Sequence, residues 1–206
     1  MARLVAHGCS FTYGHGLPDC FIPPRGFGPK PSQIGWVNQL ATKLNLTPYN
    51  LGVPGSGNKE ILARIISAEY DKDDTVIIGW SQFHRYSFYR HIDDKSGYRI
   101  SDKEIDAILA VDVNDPKYMK NNRIDNWMCI YFTNLFLNSI NIKNYHFLAI
   151  HENSRPKPFY NVTNFLDVQE GEWCADKALD NAHPGMESNR LLANLLYDKI
   201  KEHELR

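Results

Sequence analysis

Three residues, one near the start of the sequence and two near its end, carry the side chains that acyl transfer needs. Ser10 stands in the stretch AHGCSFTYGHG, two residues after a glycine that ends an apolar run. Asp180 and His183 lie near the other end, in LDNAHPG. Three residues apart on one turn, the carboxylate can hold the Nδ1–H of the imidazole and leave Nε2 to accept a proton. The pattern predicts a serine nucleophile, its general base and the group that orients the base.

A glycine-rich stretch supplies candidate donors for the oxyanion that forms when a serine attacks an ester. In NLGVPGSGN, residues 50–58, backbone N–H groups of the turn can face a ligand because glycine tolerates the required conformations. Acyl transfer needs such donors besides the nucleophile and the base. The stretch is therefore a candidate oxyanion loop.

Short apolar runs alternate with helical patterns along the chain, and these elements must position the polar residues. Strands are predicted at Arg3–Ala6, 48–52, 74–80 and 145–151, and the first and third of them are expected to be buried. Apolar residues at helical spacing predict helices over 35–45, 58–70 with Asn58 as the N-cap, 124–140 and 186–203. Strands that alternate with helices indicate βαβ units, and therefore a parallel sheet.

The ends of the predicted strands bring the candidate residues to one place. In a parallel sheet the ligand crevice lies beyond the carboxyl ends of the strands. Ser10, Gly55, Ser81 and His151 each follow one of the four predicted strands. Since His183-Pro-Gly stops regular structure before the last helix, His183 is expected on a loop. We expect these residues to gather at one edge of the sheet.

Taken together, the blocks of sequence resemble the SGNH/GDSL hydrolase superfamily. GCS resembles the first block of that family and NLGVPGSGN the second, GWSQ falls where the third stands, and DNAH resembles the last. The resemblance implies a three-layer α/β/α sandwich with a doubly wound, flavodoxin-like parallel sheet. It implies Ser10 as nucleophile, His183 as base and Asp180 as its orienter. It also implies that the N–H groups of Ser10 and Gly55 bind the oxyanion.

Two positions depart from the family pattern. Cys9 stands where the family usually has aspartate, and Ser81 stands where an asparagine usually completes the oxyanion hole. Losing one such donor costs roughly 3 kcal/mol of transition-state stabilisation. We expect Ser81 to replace it, directly or through a water, with Gln82 and the more distant Asn58 as alternatives.

Other polar residues near the predicted crevice have more than one interpretation. Asn58, Gln82, His84 and Arg85 are candidate substrate-binding residues, although a solvated start to an insertion explains His84 and Arg85 equally well. Cys9 invites a reading as a thiol nucleophile. Neighbours on an extended turn point to different sides, however, so we expect Ser10 to face His183 and Cys9 to fill a buried space.

No metal site is predicted from the sequence. His7, His15 and His151 match no ligand spacing and are interpreted as structural histidines, and the four cysteines include no Cys-x-x-Cys pair. Free thiols in a reducing compartment are the simpler interpretation of the cysteines. The predicted acyl chemistry requires no cofactor.

Length and composition limit the remaining classes of function. At 206 residues and a formal net charge of −1, the chain suits one domain, residues 1–206, with an insertion around 84–125 and without a nucleic-acid partner. The sequence contains neither a membrane-length apolar stretch nor a signal-peptide core, which predicts a cytoplasmic location without a membrane partner. The oligomeric state is not specified by the sequence.

Three functions are compatible with these residues. The first is a serine esterase or acyl hydrolase that acts on a small ester, such as the O-acetyl groups of a carbohydrate. The second is a non-catalytic protein that binds glycans or small molecules on the same scaffold, which the missing asparagine motivates. The third is an acyltransferase, because transfer and hydrolysis use the same nucleophile and base.

Overall fold

The computed structural model describes residues 1–83, 85–89, 108–112, 116–148 and 162–206. The strands in these ranges are β1 (Arg3–Gly8), β2 (Thr47–Asn50), β3 (Thr75–Trp80), β4 (Arg85–Tyr89), β5 (Ile108–Asp112) and β6 (Lys143–Leu148). The helices are α1 (Ser10–Tyr13), α2 (Trp36–Leu44), α3 (Asn58–Ser67), α4 (Pro116–Ser139), α5 (Glu170–Trp173) and α6 (Met186–Glu204). None of the helices in these ranges is long and apolar enough to cross a membrane.

Four strands form the main sheet in the order β2–β1–β3–β6, and every neighbouring pair is parallel. From β1 the chain moves outward to β2 on one side, then crosses to β3 and β6 on the other. This reversal is the mark of a doubly wound sheet, and it confirms the predicted flavodoxin-like α/β fold. Beyond β6, Phe165 makes one parallel bridge to His146.

Helices cover both faces of the sheet because its strands are apolar on both faces. Leu4 and Ala6 of β1 belong to one hydrophobic core, which also contains residues of α2 and α6. Val5, between them, belongs to the other core, which contains residues of α3 and α4. Side chains alternate across a strand, so β1 lies at the centre of a three-layer sandwich.

Several element boundaries differ from the sequence-based predictions. The prediction of Asn58 as an N-cap is wrong, because α3 begins at Asn58 and Gly57 occupies the cap position. α4 begins at Pro116, so residues 116–125 of the predicted insertion form the start of a long helix. The short helices α1 and α5 were not predicted, since hydrophobic periodicity cannot detect a single turn.

The two strands within the predicted insertion form a separate ribbon. β4 and β5 pair antiparallel, and neither belongs to the main sheet. His84, residues 90–107 and residues 113–115 lie outside the described residues. The ribbon follows β3 directly, so it begins beside the carboxyl edge of the sheet.

At the carboxyl edge of the sheet, the ends of β1 and β3 are packed so closely that Gly8 has no room for a side chain. Gly8 of β1 pairs in register with Gly79 of β3. A Cβ on Gly8 would overlap Thr12 Oγ1 and would lie 2.7 Å from the Gly79 carbonyl oxygen. Glycine at this position lets α1 turn back directly after β1. The turn places Ser10, the first residue of α1, above the end of the sheet.

Gly8→Ala should lower the free energy of unfolding by about 1–3 kcal/mol, because overpacking a filled site costs that much. Urea unfolding followed by circular dichroism measures the change. Gly171→Ala is the matched control, since a Cβ there meets no atom within 4 Å. We expect the control to change stability by less than about 0.5 kcal/mol. Equal stability of the two variants would contradict the close packing at Gly8.

Candidate active site

Ser10 follows the carboxyl end of β1 after a single residue, Cys9. The N–H groups of Thr12 and Tyr13 donate to the Cys9 carbonyl at 3.1 and 3.0 Å, which closes the turn behind Ser10. Cys9 is buried, and Ser10 is 6 % exposed. The Ser10 N–H lies in the first turn of a helix, where N–H groups have no intrahelical acceptor. Ser10 thus presents a hydroxyl and a backbone donor at the sheet edge.

A chain of hydrogen bonds joins Ser10 to two residues near the other end of the sequence. Nε2 of His183 lies 2.9 Å from Ser10 Oγ, and Nδ1 of His183 lies 2.6 Å from Asp180 Oδ2. The structure therefore brings together the predicted nucleophile, base and orienting carboxylate. In this geometry the serine proton can pass to the imidazole as Oγ attacks a carbonyl. The catalytic roles themselves stay predictions.

The carboxylate of Asp180 is held by its own turn. Oδ1 accepts hydrogen bonds from the N–H groups of Ala182 and His183, each at 3.0 Å. Burial acts to raise the pKa of Asp180, but these hydrogen bonds and the His183 side chain outweigh it and lower that pKa below its ordinary value. Asp180 is therefore ionised at neutral pH. It favours the His183 tautomer that carries its proton on Nδ1.

The turn that carries Asp180 and His183 is attached to the chain segment after α1. The N–H of Leu179 donates to the Gly16 carbonyl at 3.0 Å, and the N–H of Ala178 donates to the His183 carbonyl at 2.8 Å. The first bond ties the turn to the N-terminal part of the chain, and the second closes the turn itself. Together they hold His183 within reach of Ser10.

Two aromatic rings contact the imidazole of His183. Phe11 meets it edge-on, with centroids 5.6 Å apart and planes at 87°. His15 stacks on it, with centroids 4.1 Å apart and planes at 16°. His15, interpreted from the sequence as a structural histidine, therefore lies in the site. The position of His15 five residues after Ser10 was the only indication of this contact in the sequence, because His183 lies near the other end of the chain.

His15, Asp180 and His183 also form a group of potential metal ligands, whose ligand atoms lie within 4.8 Å of one another. A metal ion lies close to the plane of an imidazole that binds it, at about 2.0–2.1 Å for zinc. The two imidazoles are stacked nearly parallel, so their lone pairs cannot converge on one ion at that distance. Coordination would require one ring to rotate out of the stack. We therefore assign no metal to this group.

The glycine-rich stretch 50–58 packs against α1 beside Ser10. The N–H of Val53 donates to the Gly8 carbonyl at 3.0 Å, and the Asn50 side chain donates to the Thr12 carbonyl at 2.7 Å. Gly55 is exposed and has a φ of 84°, a left-handed conformation that L side chains rarely adopt. Its place on the same edge as Ser10 suits a backbone donor, and that role stays a prediction.

Ser81 follows β3 and lies in a buried polar network. Its N–H donates to Asn58 Oδ1 at 2.8 Å, and its carbonyl accepts from Asn58 Nδ2 at 3.1 Å. Arg85 Nη1 donates to Ser81 Oγ at 3.2 Å. Because Oγ accepts from Arg85, the hydroxyl proton of Ser81 can point in another direction. This arrangement keeps Ser81 as the candidate for the third oxyanion donor.

The other candidate substrate-binding residues occupy different environments. Asn58 is completely buried, and its amide also donates to Asn126 Oδ1 at 2.6 Å, so it supports Ser81 and presents no surface to a substrate. Gln82 is half-buried, and its carbonyl accepts the Arg85 N–H at 3.1 Å. Arg85 is half-buried beside Ser81. His84 and His151 lie outside the described residues.

A small cleft opens beside Ser10. Most of its wall is apolar or aromatic. The residues of its wall include Phe11, His15, Trp36, Trp173, Pro184 and Leu192. An apolar wall beside the Ser10 hydroxyl favours contact with an apolar part of a ligand.

No protein-family model and no curated protein matches the sequence, but solved structures match its fold. A protein of Desulfitobacterium hafniense DCB-2, described as lipolytic and of the G-D-S-L family, has a TM-score of 0.51 and 14 % identity over 96 % of this chain and 98 % of its own. Est2A, an acetyl xylan esterase from the rumen bacterium Butyrivibrio proteoclasticus, has a TM-score of 0.60 and 13 % identity over 98 % and 64 %.

A further match is a carbohydrate esterase whose active site displays divergent catalytic and non-catalytic binding functions. Its TM-score is 0.58 and its identity 13 %, over 97 % of this chain and 65 % of that chain. The chain thus spans nearly all of the G-D-S-L protein and somewhat less than two thirds of each carbohydrate esterase. At these identities the likeness shows the fold. It confirms the α/β/α fold that the resemblance implied.

Ser81→Ala should lower kcat for a short-chain ester by about tenfold or more with little change in KM, because an oxyanion donor acts mainly in the transition state. Steady-state kinetics with a p-nitrophenyl ester measure both constants. Ser139→Ala, an exposed serine at the end of α4, is the control. A folded Ser81→Ala variant with unchanged kcat would move the search for the third donor to Gln82.

Proposed function

We propose that this protein is a serine esterase, an acyl hydrolase that cleaves small carboxylic esters. The observation that carries the proposal is the hydrogen-bonded chain from Ser10 through His183 to Asp180, at 2.9 and 2.6 Å. Such a chain activates a serine because the imidazole accepts the proton as the attack proceeds. The fold shared with G-D-S-L lipolytic proteins and carbohydrate esterases supports the same conclusion.

The first half of the reaction transfers the acyl group to Ser10. Ser10 Oγ bonds to the ester carbonyl carbon while its proton moves to His183 Nε2, and the carbonyl oxygen becomes the oxyanion of a tetrahedral intermediate. Asp180 stabilises the imidazolium through the Nδ1–H bond. The bond to the leaving alcohol then breaks, and His183 returns the proton to the alcohol oxygen.

The second half releases the acid and restores the enzyme. Water enters where the alcohol has left, and His183 Nε2 takes one of its protons as its oxygen attacks the acyl carbon. The second tetrahedral intermediate collapses, the carboxylic acid leaves, and the proton returns to Ser10 Oγ. The cycle balances with one ester and one water as the reactants.

The oxyanion of both intermediates is bound by donors on neighbouring loops. The N–H groups of Ser10 and Gly55 supply two of them, and the hydroxyl of Ser81 supplies the third. The contact from Arg85 to Ser81 Oγ supports this assignment, because a hydroxyl that accepts from a cation is a stronger donor. One donor of this kind contributes about 10²–10³ to kcat.

The substrate class we propose is an O-acetylated carbohydrate. The small cleft beside Ser10 has a largely apolar wall, which suits an acetyl methyl group. The fold shared with an acetyl xylan esterase points to a sugar as the alcohol. p-Nitrophenyl acetate should therefore be hydrolysed faster than esters of longer acids.

A non-catalytic binding function is the second candidate, and the serine in place of the family asparagine favours it. A site with two backbone donors and a weak third stabilises the oxyanion less while leaving the crevice intact. One structure of the same fold is described as having both catalytic and non-catalytic binding functions in its active site. Acyl transfer to another acceptor would use the same residues and differ only in the molecule that takes the acyl group.

Covalent labelling with a fluorophosphonate probe tests whether Ser10 is an activated nucleophile. The wild-type protein should be labelled and should hydrolyse p-nitrophenyl acetate, whereas Ser10→Ala should do neither, with kcat lowered by about 10³ or more. Cys9→Ala is the matched control, because it removes a buried neighbour of similar size. We expect this variant to keep most of the activity.

Each alternative hypothesis predicts a different result in the labelling and activity measurements. Loss of labelling in Cys9→Ala and not in Ser10→Ala would identify the thiol as the nucleophile. Absence of labelling in the folded wild-type protein, together with binding of acetylated oligosaccharides by calorimetry, would favour the non-catalytic function. Addition of alcohols or sugars as acceptors, with analysis of the products, separates transfer from hydrolysis.

A further inference from the structure

A second imidazole lies against the proposed catalytic histidine, and the reaction steps above do not involve it. The ring of His15 stacks on the ring of His183, with centroids 4.1 Å apart and planes at 16°. Nε2 of His15 lies 3.5 Å from Asp180 Oδ2, the oxygen that also accepts the Nδ1–H of His183. Two imidazoles therefore face one carboxylate oxygen.

The surroundings of His15 hold its ring in this position. Phe27 packs against the ring with centroids 5.0 Å apart. Gly26 has a φ of 77°, and a Cβ there would overlap His15 Nε2. A Cβ on Gly16, whose N–H donates to the Gly26 carbonyl at 3.0 Å, would lie 2.8 Å from Asp180 Cγ. Glycine at both positions lets the backbone approach the ring and the carboxylate.

The His15 ring is neutral at neutral pH. Burial and the neighbouring His183 lower the pKa of His15 below its ordinary value of 6.5, although Asp180 acts in the opposite direction. Within the described residues, Asp180 and His183 are the titratable groups that face the ring, since Gly26 and Phe27 carry no charge. The positive charge that forms during the reaction therefore appears on His183.

Packing alone does not account for an imidazole at this position. Nδ1 of His15 is buried and has no hydrogen-bond partner in the described part of the chain. A buried polar atom without a partner destabilises a protein, whereas an apolar ring would fill the same space without that loss. The single ring proton is best placed on Nε2, which faces Asp180.

We propose that His15 is a positioning residue, whose neutral ring stabilises the positive charge that His183 acquires in the transition state. The proposal rests on the proposed esterase function. A cation is attracted to the face of an aromatic ring, and the attraction appears only as the charge forms. It therefore lowers the barrier without tightening substrate binding. The stack also fixes the plane of His183, so that Nε2 points at Ser10 Oγ.

Protonation of His15 reverses this effect. A charged His15 would repel the imidazolium of His183 and would compete for Asp180 Oδ2. Activity should therefore fall further in acid once His15 is protonated. The stacked pair gives the site an acid sensitivity that a single histidine would not have.

The test compares His15→Ala, which removes the ring, with His15→Phe, which keeps an aromatic face that cannot be protonated. For p-nitrophenyl acetate we expect His15→Ala to lower kcat about tenfold with KM changed less than about twofold. His15→Phe should restore most of kcat and should lose less activity in acid than the wild-type protein. His203→Ala, which removes a histidine near the end of α6, is the control and should behave as wild type.

A second readout does not require turnover. In the NMR spectrum of the wild-type protein, the ring resonances of His15 should titrate below pH 6.5, and in His183→Ala, which removes the neighbouring ring, they should titrate at a higher pH. An unchanged His15 titration in folded His183→Ala, or a wild-type kcat and pH profile in folded His15→Ala, would overturn the proposal. Failure of Ser10 to react with the fluorophosphonate would refute the esterase function, while the NMR titration would still decide the coupling.

Discussion

The hydrogen bond between Ser10 and His183 joins the two ends of the chain, and much of the fold is arranged around it. Ser10 is fixed because Gly8 and Gly79 let α1 turn back at the end of β1. His183 is fixed because its turn is bonded to the Gly16 carbonyl through Leu179. The hydrogen bond between Ser10 and His183 therefore depends on both contacts, the close packing at Gly8 and the bond from Leu179 to Gly16. The core that packs β1 against α2 and α6 provides the rigid frame between them.

The electrostatics of the site follow from the position of one carboxylate. Asp180 is largely shielded from water, which opposes its ionisation, yet two backbone N–H groups and the Nδ1–H of His183 keep it charged. In the proposed reaction His183 becomes an imidazolium, and the charge of Asp180 balances it, because a cation shielded from water without a counterion is costly. Two rings contact the same imidazole. Phe11 lies perpendicular to it, and His15 lies nearly parallel to it.

Local patterns in the sequence predicted the features that depend on local physics. Apolar runs identified the strands of the main sheet, and the Asp180–His183 pair lies on one turn, so its spacing is visible in the sequence. The features that the sequence did not predict depend on contacts between distant segments of the chain. Asn58 has the side chain of an N-cap, but its amide binds Ser81 and Asn126, and Gly57 takes the cap position. His15 gains its importance from a ring at the other end of the chain.

The proposed oxyanion donor, Ser81, is also held in place by other parts of the chain. An asparagine would bring an amide donor into the crevice on its own side chain, whereas Ser81 has a shorter arm and a single proton. Asn58 binds the N–H and the carbonyl of Ser81, and Arg85 donates to its Oγ. With those groups occupied, the hydroxyl proton is the donor that Ser81 has left to offer. In the proposed reaction one oxyanion donor contributes about 2.7–4 kcal/mol, so the rate depends strongly on the direction of the Ser81 O–H bond. Asn58 and Arg85 are the residues that orient it.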